Sequence, residues 1–338
     1  MFTVNVSLAS TAEYSSKAAE SIKDLNPNAA DLLITSVITS MVTDLGVVAP
    51  TASGLLTYYD GDNNSTHSVD GYFVAPKKFD GNDHEEHRIS MTYGGHVETC
   101  KGANTFAVPG IYKILNLIFE RYASLPLEKL LEFPIKTAKE GFKLTQPTKD
   151  YFIHSLEPMF MWHEQSKIAL ANVYEDLENG IVKLDKLADT LSHMSVEGFN
   201  DFYIGDISNS IVETLKIEGG HATRDDFSGY ELIEENMFEY QYKNLKLTGH
   251  SGPSIGGLMV LKYLNALSVE SQNIEETLKN VYLDRQNNYE FFGSRGDLIN
   301  NEISKISMSS STIQVNTSDK NNFHFSITFS SGYGSGVL

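Results

Sequence analysis

The chain has 338 residues, 41% of them hydrophobic, and a formal net charge of −18 from 26 basic and 44 acidic side chains. That is enough apolar material for one large core or two smaller ones, and the acidic balance works against phosphate-backbone binding, so nucleic acid is not an expected partner. The single cysteine, Cys100, excludes an internal disulfide or a multi-cysteine metal site and reads as a small buried apolar residue.

The opening Met1-Phe2-Thr3-Val4-Asn5 carries neither a basic leader nor an apolar segment with a small-residue cleavage site, so a cytoplasmic location is expected. Ser10-Thr11-Ala12-Glu13 has capping-box spacing and predicts a helix from Thr11 to Lys23. Asn26-Pro27 predicts the cap and first turn of a second helix, with Ala30, Leu33, Ile34, Val37 and Met41 at helical spacing until Gly46. The apolar stretch Leu32 to Val48 contains Asp44 and five Ser or Thr residues, which fits a buried helix packed on several sides and not a membrane span.

Two strands are expected at Leu55–Tyr59 and His67–Val74, joined by Asp60-Gly61-Asp62-Asn63-Asn64. That turn fails as a calcium loop, because Ser65 stands where glycine is required and Gly71 where a bidentate glutamate is required. His84-Glu85-Glu86-His87, with His96 nearby, lacks the i, i+4 histidine spacing of a zinc helix, so no metal site is assigned. Helical pattern covers Ile111 to Gly141 with breaks at Leu125-Pro126 and Phe133-Pro134, then Leu184–Glu197 and Ile207–Glu218.

Gly249-His250-Ser251-Gly252-Pro253 is only superficially a nucleophile elbow, since proline replaces the glycine that the tight turn needs. Pro253-Ser254-Ile255-Gly256-Gly257 precedes the apolar run Leu258 to Leu267 and reads as a loop entering a helix. At the end of the chain, Ser309-Ser310-Ser311-Thr312 opens a hairpin. Ile313 and Val315 alternate with polar residues, Ser318-Asp319-Lys320-Asn321 turns, and Phe323, Phe325, Ile327 and Phe329 alternate with His324, Ser326, Thr328 and Ser330. The second strand therefore has one apolar face and one hydroxyl-bearing face. Helices followed by strands, more helices and a final hairpin predict a layered α+β fold.

Several segments form an ordered set along nearly the whole chain. They are Asn28-Ala29-Ala30-Asp31 with Gly46-Val47-Val48-Ala49-Pro50, then Ala107-Val108-Pro109-Gly110, then Arg121-Tyr122 through Leu125-Pro126 to Ala138-Lys139-Glu140-Gly141-Phe142. Glu197-Gly198, Asp201-Phe202-Tyr203 with Gly205, Gly219-Gly220, Thr223 with Asp225-Asp226, Pro253-Ser254-Ile255-Gly256-Gly257 and Tyr282 with Asp284-Arg285 continue it. In this order they resemble the γ-glutamyltransferase (γ-glutamyl transpeptidase) family of N-terminal nucleophile hydrolases.

The resemblance implies a four-layer αββα fold, incomplete in this chain, with residues 1–309 as a large-subunit-like region and 310–338 as the start of a small-subunit-like region. Aligning Asp319, Asn321 and Gly334-Ser335-Gly336 without a gap places Ser310 at the nucleophile and Thr328 at the threonine that supports it, with cleavage between Ser309 and Ser310. The implied activity is autoprocessing followed by transfer of a γ-glutamyl or related acyl group from an amide such as glutathione to water or an amine, with no cofactor and no metal.

Three departures qualify it. Tyr72, in Tyr72-Phe73-Val74-Ala75-Pro76, stands where the family's arginine clamps the glutamyl carboxylate, leaving at most one phenolic donor. The glycine-rich turn expected after Ser53-Gly54 gives way to Leu55-Leu56-Thr57, Ser311-Thr312 replace threonine and histidine, and Ser330 replaces a substrate-binding asparagine. The family's oxyanion-hole glycines match no residue here, so activity is expected only with a complementary small-subunit polypeptide. A non-catalytic binding relative and an acylase for amides without an α-carboxylate are the alternatives.

Overall fold

The computed structural model describes residues 5–78, 88–92, 97–235, 237–250, 256–267, 273–289 and 312–332. Its first elements are β1 (Val6–Ser10), α1 (Glu13–Ile22), α2 (Ala29–Thr43), β2 (Ser53–Asp60), β3 (Ser65–Gly71), β4 (Arg88–Met91) and β5 (Val97–Cys100). The helical middle holds α3 (Ile111–Tyr122), α4 (Leu127–Glu140), β6 (Phe142–Lys143), α5 (Gln146–Ser155), α6 (Glu164–Glu175), β7 (Ile181–Val182), α7 (Asp185–Glu197), α8 (Asp201–Ile204), α9 (Asp206–Ile217) and α10 (Arg224–Ser228). After it come β8 (Ile233–Glu235), β9 (Phe238–Tyr242), β10 (Leu245–Gly249), α11 (Gly256–Leu267), α12 (Ile274–Tyr289), β11 (Ile313–Asp319) and β12 (His324–Ser330).

A six-stranded sheet in the order β1-β11-β12-β2-β3-β8 organises the chain, and each neighbouring pair in it is antiparallel. Register follows side-chain alternation. Val315, Ile327, Leu56 and Val69 stand side by side across four strands and are fully buried. The intervening positions Gln314, Asn316, Ser326, Thr328 and Thr57 form the opposite face, which is polar and partly open. α2 packs on β11 and α3 on β2 and β3. Close approach of α3 explains two paired glycines: a Cβ on Gly71 would fall 2.6 Å from Ile114 Cδ1, and one on Gly54 would fall 3.2 Å from Ile111 Cδ1.

The terminal hairpin occupies the middle of this sheet, between β1 and β2. Thr317 Oγ1 donates to the Ala29 carbonyl at 2.8 Å, and the Asp319 carboxylate accepts from the Ala29 N–H at 3.2 Å, at the N-terminus of α2 where negative charge is favoured. All fifteen residues of α2 are buried, and it packs against α1, α3, α4 and β11 as its apolar circumference requires.

Four local expectations are corrected. Ser10 ends β1 opposite Val315, an unpredicted strand, so its hydroxyl accepts from the Ala12 N–H at 3.0 Å and the Ser10/Glu13 capping box does not form. Asn26 adopts a left-handed conformation (φ 57°) after a short 3-10 turn, and the cap of α2 is Asn28, in a reciprocal capping box with Asp31. β3 leaves the sheet at Gly71, and Val74 makes an isolated antiparallel bridge to Val108. α4 runs through Pro134 unbroken. Proline removes the donor for the Leu130 carbonyl, and Thr35 Oγ1 on α2 supplies another at 3.0 Å.

The predicted α+β class holds, α7 and α9 lie where helical pattern placed them, and α11 covers the apolar run that the preceding loop was expected to feed as a helix. Asp60 closes the β2–β3 turn by accepting from the Asp62 and Asn63 N–H groups at 2.9 and 3.0 Å, as an Asx turn does. No described helix is long and apolar enough to cross a membrane.

Asp44 caps the far end of α2 inside the core, accepting from Thr43 Oγ1 and Thr145 Oγ1, each at 3.0 Å. Burial outweighs these two bonds and pushes its carboxyl up to about 6. A folded-state value above the unfolded one means that stability from this group is full below about pH 4 and is lost as pH rises toward 6 and beyond, on the order of 2–3 kcal/mol in all. In urea titrations, the stability difference between Asp44→Asn and the parent should therefore shift in the variant's favour between pH 4 and 7. A difference that is flat with pH would contradict this assignment.

Candidate functional site at the open end of the sheet

β12 carries its hydroxyls on the open face because the opposite face is filled by Phe325, Ile327 and Phe329. Thr328 is exposed and lies opposite Gln314 on β11, and its hydroxyl donates to Gln314 Oε1. Gln314 Nε2 in turn donates to Asn316 Oδ1 at 3.0 Å and to Ser326 Oγ at 2.9 Å. The Gln314 backbone is held by Thr11: its N–H donates to Thr11 Oγ1 at 3.0 Å and its carbonyl accepts from the Thr11 N–H at 3.1 Å.

Ser330 pairs with Ser53 on β2, and its Oγ accepts from the Gly332 N–H at 3.0 Å. Gly54 pairs with both Phe329 and Gly71, so Tyr72 follows the last paired residue of β3 at the end of the sheet where Ser53 and Ser330 pair. The structure thus gathers Thr328, Ser330 and Tyr72 at one end of the sheet. Ser309 and Ser310 lie outside the described residues, as do Gly334-Ser335-Gly336, Pro253-Ser254-Ile255 and the histidines at 84, 87 and 96.

The Tyr72 ring is 52% exposed while its backbone is fixed. The Tyr72 N–H donates to Asp70 Oδ1 at 2.7 Å, and the Tyr230 hydroxyl donates to the Tyr72 carbonyl at 2.6 Å. Burial, followed by the Asp70 charge, holds the Tyr230 phenol well above its usual range, so it stays a donor. Asp70, 8% exposed, is two strands from Thr328 on the same face, through Leu55. The surroundings of Tyr72 therefore include a buried carboxylate. Farther along, the Lys77 backbone N–H donates to Asp226 Oδ1 at 2.9 Å; burial pushes the Asp226 carboxyl up, but its hydrogen bonds from Thr223 and Lys77, with the Lys77 charge, outweigh this and hold it below its usual range.

Many of the residues that carry the sequence resemblance tie this end of the fold together. Asp31 accepts from the Ser124 and Leu125 N–H groups at 2.9 and 3.1 Å, joining α2 to the α3–α4 turn. Val74 and Val108 exchange backbone hydrogen bonds at 3.1 and 2.9 Å, so the segment containing Tyr72 is bound to the Ala107-Val108-Pro109-Gly110 turn. Arg121 grips Glu234 on β8 with two bonds of 2.9 Å. Gln314, Asn316 and Asp70 were not picked out from the sequence; counting back from the Ser318–Asn321 turn sets Gln314 opposite Phe325, and the observed pairing with Thr328 follows from a turn centred on Asn321. Among the described residues, no group of three His, Cys, Asp or Glu side chains is arranged to hold a metal.

Residues 15–292 match the family model described as Gamma-glutamyltranspeptidase. Among curated relatives, the glutathione hydrolase proenzyme of Escherichia coli is 24% identical over 212 residues, covering 61% of this chain and 35% of that protein. Glutathione hydrolase 2 of Arabidopsis thaliana is 27% identical over 232 residues, covering 66% and 38%. The chain thus spans little more than a third of the length of these relatives.

Of solved structures, cephalosporin acylase from Bacillus halodurans superposes with a TM-score of 0.74 at 17% identity, over 99% of this chain and 67% of that one. Helicobacter pylori γ-glutamyltranspeptidase gives 0.69 at 22% identity, over 90% and 91%. Both likenesses show a shared α+β fold, of which the described residues form the six-stranded sheet with its packed helices and three two-stranded sheets. With 278 of its residues matched in sequence order, the chain belongs to the γ-glutamyltranspeptidase family.

Proposed function

We propose that this protein is an autoprocessing acyltransferase and amide hydrolase with Ser310 as its nucleophile and Thr328 as the threonine that supports it. The observation that carries this is the position of Thr328: exposed on the polar face of a strand at the centre of the sheet, opposite the strand that begins three residues after Ser310. The description of the E. coli relative as a proenzyme supports cleavage as the activating step.

In the first step Ser310 Oγ attacks the Ser309 carbonyl, the C–N bond breaks, and the acyl group passes from nitrogen to oxygen. That shift moves the hydroxyl proton to nitrogen and frees the Ser310 α-amino group; water then cleaves the ester, releasing the Ser309 carboxylate and restoring the Ser310 hydroxyl. An α-amine that titrates at about 7.7–8.0 takes the proton of the Ser310 hydroxyl as that oxygen attacks a substrate amide. The leaving amine departs with a proton, and water or a second amine takes the acyl group. We place a complementary small-subunit polypeptide against the open face to supply the oxyanion donors that such a step requires.

γ-Glutamyl amides such as glutathione are one donor class. Tyr72 and Asp70 favour another, an acyl amide without an α-carboxylate, because a tyrosine offers at most one donor in place of a bidentate cation and the buried Asp70 carboxylate beside it repels an anionic group.

Mass spectrometry of the purified protein under denaturing conditions should show two fragments divided between Ser309 and Ser310, and Ser310→Ala should remain a single chain. An uncut parent protein would refute autoprocessing and favour a binding role. Tyr72→Arg should raise turnover of a γ-glutamyl anilide relative to a neutral acyl anilide by about tenfold or more, the worth of a bidentate carboxylate contact. An unchanged ratio would remove Tyr72 from the acyl site.

A further inference from the structure

β1 forms one edge of the six-stranded sheet, with β11 on its inner side. Its parity is fixed at both ends. The Lys320 N–H donates to the Asn5 carbonyl at 3.0 Å and the Thr11 N–H to the Gln314 carbonyl at 3.1 Å, so Asn5, Ser7, Ala9 and Thr11 turn their backbone groups toward β11. Val6, Leu8 and Ser10 therefore aim both N–H and C=O away from the sheet, and among the described residues none of these groups has a backbone partner. Natural edge strands are shielded by charge, proline or a bulge, and Val6-Ser7-Leu8-Ala9-Ser10 has none of these.

The side chains at this edge are equally unfinished. Val6 and Leu8 are half-buried and, with Ala19 and Leu32, line a groove of about 400 Å³ between β1 and α1, whose other wall carries Glu20 and Lys23. A strand added at this edge would put the residues opposite Val6 and Leu8 on the groove side and those opposite Ser7 and Ala9 on the polar face. The edge thus calls for apolar residues at alternate positions with small ones between them and no charge. β1 itself has that pattern.

We propose that β1 is a homodimer seam, pairing antiparallel with β1 of a second copy about a two-fold axis at Leu8. In that register Leu8 exchanges both backbone bonds with the partner's Leu8, and Val6 exchanges both with the partner's Ser10, so every outward group is satisfied. The two grooves meet across the axis, and Val6 and Leu8 of each copy cover those of the other. Charge fits the same axis. Along α1, Glu13, Lys17, Glu20 and Lys23 alternate in sign, and Ser16, Ala19 and Glu20 share the groove with Leu8, so the axis passes near the middle of the helix. Opposed helices set Glu13 toward the partner's Lys23 and Lys17 toward the partner's Glu20. Exposed pairs of this kind add little energy but favour the antiparallel approach. For a chain with a net charge of −18, an uncharged strand beside a charge-balanced helix lets two copies meet without adding like-charge contacts.

Sedimentation equilibrium of the full chain tests this. The parent should have twice its 37.5 kDa mass; a monomeric parent would overturn the proposal and leave the edge to a strand from another polypeptide. Leu8 meets its own copy at the axis, so Leu8→Glu and Leu8→Lys each bring like charges together, and each should self-associate more weakly by about a hundredfold or more. Mixed in equal amounts, the two should recover the dimer, because the axis then joins opposite charges. A dimer that persists in both variants alone, or a mixture that stays monomeric, would overturn the pairing at Leu8.

Thermal unfolding checks that each variant is folded. If a charged variant is not, Leu8→Pro gives the same reading: the Leu8 N–H points outward, so proline there removes no bond within the sheet. That variant should be monomeric, and a dimer would overturn the proposal. The seam does not depend on cleavage at Ser310, so an uncut parent would sink the acyl-transfer function and leave this inference standing.

Discussion

Insertion of the last described strands into the centre of the sheet is the constraint on which the rest depends. β11 and β12 are flanked by β1 on one side and β2 on the other, and their inner side chains Ile313, Val315, Phe325, Ile327 and Phe329 are at most 2% exposed. Side chains of this kind each contribute about 1.5–3 kcal/mol when fully buried, so the hairpin is a main source of cohesion between the N-terminal strand and the helical layer. Cleavage ahead of Ser310 would leave these pairings intact, because none of them needs the peptide bond that is cut. An autoprocessing chain can be severed there without losing its core.

The same insertion sets the chemistry of the exposed face. Alternation forces Thr328 and Ser330 outward once Ile327 and Phe329 point inward. Asp319 and Thr317 dock the hairpin onto the first residue of α2, Asp31 ties α2 to the α3–α4 turn, and the Val74–Val108 bridge ties the Tyr72 segment to the start of α3. A chain of contacts that are structural in themselves thus holds Tyr72, Ser330 and Thr328 at one end of the sheet. Residues of the segments that carry the family resemblance act as joints, and Tyr72 is among the side chains they present.

The hairpin was legible because its period of two is strict, with four aromatic or aliphatic residues alternating with four polar ones from Phe323 to Ser330. Helices with one apolar stripe, such as α9, were equally clear. Less legible were features decided by distant partners. Val6–Ser10 is a strand because β11 pairs with it, and that pairing diverts Ser10 from its cap role. Pro134 breaks nothing because Thr35, 99 positions earlier in the chain, satisfies the carbonyl that proline orphans. Local pattern reports which face a residue occupies; it does not report where the other half of a hydrogen bond comes from.

Amide hydrogen exchange tests the central position of the hairpin most directly. The N–H groups of β11 and β12 that pair with β1 and β2 should exchange as slowly as those of α2, opening only with global unfolding. Exchange of residues 313–330 at the rate of a frayed chain end, while α2 and β2 stay protected, would contradict the account.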